Sequence, residues 1–164
     1  MDMATPRPRH YQLVDLDREQ RESLLASRVS AMMAFVDAKG FPRLVPCWFL
    51  WDGRAFYTTS MASKFHVRCL RRNPRASMGV EIGSSDDGLI RNRQVKGVGE
   101  VVIFDDVDHV WGRRIREKYL GRIVETGAGP AVHPDIDQAR VVIRLEPDSL
   151  SAHGGEIREV SDDG

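Results

Sequence analysis

Two short turn signals constrain the first half of this chain more than any other feature. Asp37-Ala-Lys-Gly40 stands between the apolar runs VSAMMAFV (Val29 to Val36) and PRLVPCWFLW (Pro42 to Trp51), and Asp52-Gly53 separates the second run from Ala55–Thr59. Short apolar runs with β-branched or aromatic residues, punctuated by Asp and Gly, are strands joined by hairpins. Three consecutive strands in a meander are therefore expected. A tight turn leaves no room for the crossover that a parallel pair needs, and no GxGxxG follows any of these runs, which argues against a dinucleotide-binding parallel sheet.

The remaining chain extends this pattern. Residues 1–14 hold two prolines and little apolar periodicity, and are expected to form an N-terminal arm ordered only by packing on something else. DLDREQRESLLAS starts acidic and ends with Leu24 and Leu25, the polarity of a short helix capped by Asp15 or Asp17. A second helix is expected between Ser63 and Asn73-Pro74, and strand returns over Ala76–Ile82. GSSDDG is a loop by composition, whereas NRQVKGVGEVVIF alternates as a long strand in which Gly97 and Gly99 mark a bulge or a close neighbour. Asp105-Asp106 is placed to cap a third helix over about Val107–Leu120, with Val110, Trp111, Ile115 and Tyr119 on its apolar side. GRIVETGAGPAVHPDID is loop-like, Arg140–Glu146 is strand, and Ser149–Ala152 closes the sheet. The expected organisation is thus an arm at 1–14, one domain at 15–153 and a flexible acidic tail at 154–164. Within it, six or seven antiparallel strands form a mainly β, closed or nearly closed barrel with about three helices at its rim.

Charge narrows the function. Twenty-four cations balance twenty-four acids in 164 residues, so no global field draws the protein towards nucleic acid or an anionic membrane. No apolar run approaches a membrane span, and MDMATPRPRH lacks the apolar centre of a secretory signal, so a cytoplasmic protein is expected. Cys47 and Cys69 fall on separate elements without CxxC spacing, which favours reduced thiols. The five histidines form no HExxH or comparable pair, HPDID at His133–Asp137 has the composition of a turn, and no metal is expected.

One stretch carries chemistry. TTSMASKFHVRCLRRNP (Thr58 to Pro74) ends a strand in hydroxyls, opens a helix at Ser63 and Lys64, and contains no acid. A helix start offers unpaired N–H groups and the positive end of a dipole, so hydroxyls and a lysine there suit an anion, phosphate above all. The same residues also suit a plain surface helix capped by Ser63 with solvated arginines. Both readings stand on local grounds. Nucleic acid fits poorly, since no aromatic platform accompanies the cations.

Three blocks together give the chain a family resemblance over about Leu24–Glu146: Arg43-Leu44-Val45-Pro46 on the second strand, Thr58–Pro74, and Asn92-Arg93-Gln94-Val95 followed by Gly99. In this order the chain resembles the FMN-binding split barrels, the superfamily of pyridoxamine 5′-phosphate oxidase and its deazaflavin-dependent relatives. The resemblance implies a split barrel, a homodimer with the cofactor at its interface, and FMN or coenzyme F-420 as cofactor. It implies that Thr58, Thr59, Ser63 and Lys64 hold the phosphate with Arg43 as a second cation. Val45, Pro46, Cys47 and Trp48 would lie along the ring, and Gln94 would meet its polar edge. In such enzymes the cofactor carries the hydride transfer, so no side chain is assigned a catalytic role. The implied function is an oxidoreductase acting on a small, flat substrate; the alternative is a non-catalytic flavin- or haem-binding module. Trp48 stands where the specialised oxidases place a substrate-phosphate lysine, and SLSAHGGEIR replaces their C-terminal arginine-histidine motif, which points away from vitamer oxidation.

Overall fold

The computed structural model of the chain describes residues 9–83, 90–121 and 139–159. Most of the loops expected over GSSDDG and over GRIVETGAGPAVHPDID lies outside the described residues. The described chain is a mainly antiparallel β structure whose sheet does not close, a split barrel flanked by three α-helices.

Nine strands form among the described residues where six or seven are expected. They are β1 (Arg9–Asp15), β2 (Ala31–Val36), β3 (Pro42–Cys47), β4 (Leu50–Trp51), β5 (Phe56–Met61), β6 (Arg75–Ile82), β7 (Ile90–Asp105), β8 (Arg140–Leu145) and β9 (Ser149–Glu159). One added strand comes from the termini: β1 pairs antiparallel with β9, with Leu13 opposite Gly155 and Val14 opposite Gly154. Residues expected to be an arm and the start of a flexible tail thus supply each other's backbone partners. Gly155 permits the pairing, because a Cβ there would lie 2.3 Å from the Tyr11 ring.

The expected meander is broken in the middle. β2 pairs with β3 and β4 pairs with β5, but these two hairpins lie at opposite ends of the strand order β3-β2-β6-β7-β8-β5-β4. The run from Pro42 to Trp51 is therefore two strands, and the chain crosses the split of the barrel at Trp48 and Phe49. Phe49 anchors the crossing: it is fully buried and packs against Phe56 at 5.7 Å between ring centroids. Burying a side chain of this size contributes about 1.5–3 kcal/mol.

β7 joins the two halves. Its Arg93–Glu100 portion pairs with β6, while Val101–Asp105 pairs with β8. A Cβ on Gly99 would meet the Glu146 carbonyl oxygen at 2.9 Å and the Asp148 nitrogen at 3.2 Å, so Gly99 lets the β8–β9 connection pass against the strand. This is the close neighbour that its position in the sequence predicts.

The helices are α1 (Arg18–Ala26), α2 (Phe65–Arg72) and α3 (Val110–Leu120). Asp17 caps α1 in a reciprocal box with Gln20, at 2.8 and 2.9 Å. Ahead of α3 the chain makes a single 3-10 turn, Val107–His109, in which Asp108 and His109 take left-handed φ angles of 52° and 53°. Asp106, buried, spans this turn by accepting from Trp111 N at 2.9 Å and Gly112 N at 3.0 Å. Gly112, Ile115 and Tyr119 are the buried face of α3, while Val110, expected inward, is largely exposed.

Candidate functional site

A cleft of about 640 Å³ opens where the barrel is split. β3 supplies Val45, Pro46 and Cys47, the crossing segment supplies Trp48, and β5 supplies Thr58, Thr59, Ser60 and Met61. α3 forms the opposite side with Arg113, Ile115 and Arg116. Lys64 and His66 at the start of α2, His109 before α3, and Arg140 and Ile143 of β8 add to the lining, and no carboxylate is among the described lining residues.

Cations and hydroxyls share the cleft lining with apolar side chains: Lys64, Arg113, Arg116 and Arg140 stand alongside Met33, Val45, Pro46 and Ile143. Lys64 is the N-cap residue of α2, and no side chain caps that helix. Its first-turn N–H groups therefore have no side-chain acceptor, and the positive end of the helix dipole stands beside a lysine. Arg140 Nη2 donates to Thr59 Oγ1 at 3.5 Å, turning one arginine towards the hydroxyl row of β5. His66 lies within hydrogen-bond distance of Ser60, Nε2 to Oγ 2.8 Å. Burial, with help from the charge of Lys64, holds the His66 imidazole below its usual pKa.

The apolar wall is fixed from behind. The Trp48 indole stacks on the Tyr119 ring with centroids 4.7 Å apart and 6° between planes. Tyr119 in turn donates to Val29 O at 2.8 Å and accepts from Phe49 N at 3.2 Å. Burial pushes the Cys47 thiol up to about 11, so it stands in the cleft as a neutral thiol.

A family model described as pyridoxamine 5′-phosphate oxidase matches residues 16–154. The chain belongs to the pyridoxamine 5′-phosphate oxidase family. Among solved structures, this family member is similar to an F420 reductase at 27% identity, covering 79% of this chain and 94% of that one with a TM-score of 0.59. It is also similar in fold to a conserved hypothetical protein from Mycobacterium tuberculosis (23% identity, 84% of each chain, TM-score 0.66). A third likeness of fold is to a FAD-binding protein from Mesorhizobium loti, at 17% identity over 90% of this chain and 99% of that one, with a TM-score of 0.61. No curated protein matches.

Seven of the ten residues that the sequence nominates in this pyridoxamine 5′-phosphate oxidase family member line the cleft: Val45, Pro46, Cys47, Trp48, Thr58, Thr59 and Lys64. Three do not. Arg43 sits on β3 near the hairpin turn and pairs with Asp37 at 2.9 Å, and that carboxylate also accepts from the Lys39 and Phe41 N–H groups. Ser63 is exposed one residue before the N-cap, so the expected serine cap of α2 is not made. Gln94 lies on β7 opposite Glu81 and His153, beside a bulge where Asn92 has φ 50°.

Sequence reasoning missed the α3 and β8 side of the cleft. His109, Arg113 and Arg116 recur at helical spacing, a stripe legible once the helix is drawn, but attention falls on the apolar stripe beside it. Arg140 carries no local signal at all. Trp111 and Tyr119 take core roles: Trp111 stacks on Tyr57 at 4.1 Å, and Tyr119 is buried.

Proposed function

We propose that this protein is a flavin- or deazaflavin-dependent oxidoreductase, binding FMN or coenzyme F-420 in the cleft and transferring hydride to or from a small planar substrate. The observation that carries this reading is the meeting, in one cleft, of cations and hydroxyls, with no carboxylate among the described lining residues, and an apolar surface of Met33, Val45, Pro46 and Ile143. A phosphate and a flat ring system need those two surfaces side by side, and the cleft volume falls in the range of small-molecule sites. The family membership and the likeness to an F420 reductase support the same class.

The donor set suits the phosphate. Lys64 offers a charge-assisted contact, Thr58 and Thr59 offer hydroxyls, and the first turn of α2 adds its N–H groups. Val45, Pro46 and Cys47 bound the ring, and Trp48, braced by Tyr119, limits the depth available to a substrate. When bound, the flavin or deazaflavin supplies the hydride chemistry, and the protein contributes binding, orientation and exclusion of water.

A homodimer completes the reading. Met32, Phe41 and Leu44 on the β2–β3 hairpin are exposed, the last two by 59% and 66%, next to strand residues that line the cleft. A second copy covering this edge would bring new donors to the cleft, and a role there for Gln94, which does not line it within one chain, would fit such an assembly.

The absorbance spectrum of the purified protein tests the reading directly. A bound yellow chromophore that is reduced by a nicotinamide donor or by reduced deazaflavin is the expected result. A bound chromophore that no donor or acceptor turns over identifies a binding module instead. A protein that takes up neither FMN nor coenzyme F-420 removes the proposal altogether.

A further inference from the structure

We propose that His66 is a further anion-binding residue of the cleft, and that it takes up a proton when a phosphate-bearing ligand settles beside Lys64. The inference rests on the cofactor reading above and adds a titrating residue which that reading leaves without a role.

His66 stands in the first turn of α2, two residues after Lys64, and its Nε2 lies 2.8 Å from Ser60 Oγ on β5. Its ring tilts at 57° to that of Phe35 on β2, with centroids 6.2 Å apart, so one side of the imidazole is packed and Nε2 is held by the serine. Both His66 and Ser60 line the cleft, next to the Thr58 and Thr59 hydroxyls.

Among the described residues, the charges that line the cleft all have one sign. Lys64 lies on the α2 side, Arg140 on β8, and Arg113 and Arg116 on α3. His109 precedes α3, and Cys47 on β3 is a neutral thiol. Met33 of β2 lines the cleft and Phe35 of β2 packs near the His66 ring, and no carboxylate is among the described residues that line the cleft. In the free cleft this surrounding favours a neutral ring, consistent with the lowered pKa that burial and Lys64 impose. A bound phosphate reverses the local sign and brings acceptor oxygens. An imidazolium has two N–H donors to place, and Ser60 Oγ is already there for one of them. The ligand supplies the acceptor for the other, and neutralises the charge that Lys64 opposes. Proton and phosphate then each tighten the binding of the other by the same factor.

Calorimetry of the full chain, freed of any copurified chromophore, reads this linkage. Titrations at pH 7 with FMN, riboflavin and coenzyme F-420 in two buffers of different ionisation enthalpy give the protons taken up per ligand. The expected result is uptake with FMN that exceeds the phosphate's own contribution, whose second ionisation lies near pH ~6. Affinity should fall by up to about tenfold per pH unit as pH rises between the free and bound pKa values of His66. His66→Gln should remove the excess uptake and flatten the pH dependence, and riboflavin, lacking phosphate, should show no His66-dependent uptake. If coenzyme F-420 binds with His66-dependent uptake and FMN does not bind, the deazaflavin is the phosphate source and the inference stands. NMR of the His66 ring in the unaltered protein gives a readout independent of the variant's folding: its titration midpoint should move upwards when the ligand saturates the cleft. Equal uptake in the His66→Gln variant, or an unmoved midpoint, overturns the inference while the cofactor reading survives. Failure of both FMN and coenzyme F-420 to bind overturns the two together.

Discussion

The Trp48 indole and the Tyr119 phenol lie parallel, 4.7 Å apart between centroids, at the point where the barrel splits. This contact joins the last turn of α3 to the segment crossing from β3 to β4, and so fixes the inner wall of the cleft. Tyr119 adds two hydrogen bonds from its hydroxyl, to Val29 O and from Phe49 N. Tyr119→Phe keeps the stack but leaves both backbone groups without their partner, and should cost about 1–3 kcal/mol in urea-induced unfolding. Ligand selectivity should change little in Tyr119→Phe and substantially in Trp48→Ala, which removes the wall itself. Equal selectivity in Trp48→Ala and the unaltered protein would show that the indole does not bound the substrate.

Lys64→Ala removes the one lysine of the cleft and its charge-assisted contact. Cofactor affinity measured by fluorescence titration should weaken by ~1.5–3 kcal/mol, roughly tenfold or more. Arg43→Ala, by contrast, breaks a turn ion pair with Asp37 and should leave cofactor affinity unaltered. Comparable losses in both variants would return Arg43 to the site.

Lys118 gives a pH dependence with a definite sign. Its ammonium donates to Leu25 O at 2.9 Å and lies 3.7 Å from the centre of the Phe49 ring, and burial lowers its pKa to about 8 from 10.5. The folded protein therefore releases this proton before the unfolded chain does. Between the two pKa values the unfolded state binds more protons, so stability should rise with pH above about 8. Cys47 has the opposite sign, since its folded pKa of about 11 exceeds the usual 9.0, and stability should fall as pH rises beyond 9. Thermal melts from pH 7 to 9 compared with Lys118→Met isolate the lysine, and identical pH profiles would exclude it.

Gly99→Ala should destabilise the fold by roughly 1–3 kcal/mol, because the new methyl would meet backbone atoms of Glu146 and Asp148 and force β8 and β9 away from β7. Gly40→Ala has open space around its Cβ, and its cost comes from a φ of 84° alone. Chemical denaturation of the two variants separates packing from conformational strain. A cavity-free Gly99→Ala with wild-type stability would place the β8–β9 link further from β7 than this geometry has it.

The sequence by itself determined the local elements. An acidic start at Asp15 or Asp17 marks a helix cap, Asp37–Gly40 and Asp52-Gly53 mark hairpins, and Gly97 and Gly99 signal a bulge or a close neighbour, each within a few residues. Thr58, Thr59 and Lys64 were legible because hydroxyls, a lysine and a helix start lie in one short stretch, whereas Val45, Pro46, Cys47 and Trp48 were nominated by the family resemblance. What only the tertiary structure decided is which strands are neighbours and which side chains face one another. The hairpins at Asp37–Gly40 and Asp52-Gly53 look like one meander, yet burial of Phe49 at the split sends them to opposite ends of the sheet. β1 and β9 pair across almost the whole chain, a contact that no local pattern encodes. Arg113, Arg116 and Arg140 reach the cleft only because α3 and β8 pack beside β5. His66, two residues after Lys64 in the motif, meets Ser60 of β5 only in the folded chain. Periodicity and capping are properties of neighbouring residues, whereas the sign of a cleft's field is summed over segments that meet only when the chain is folded.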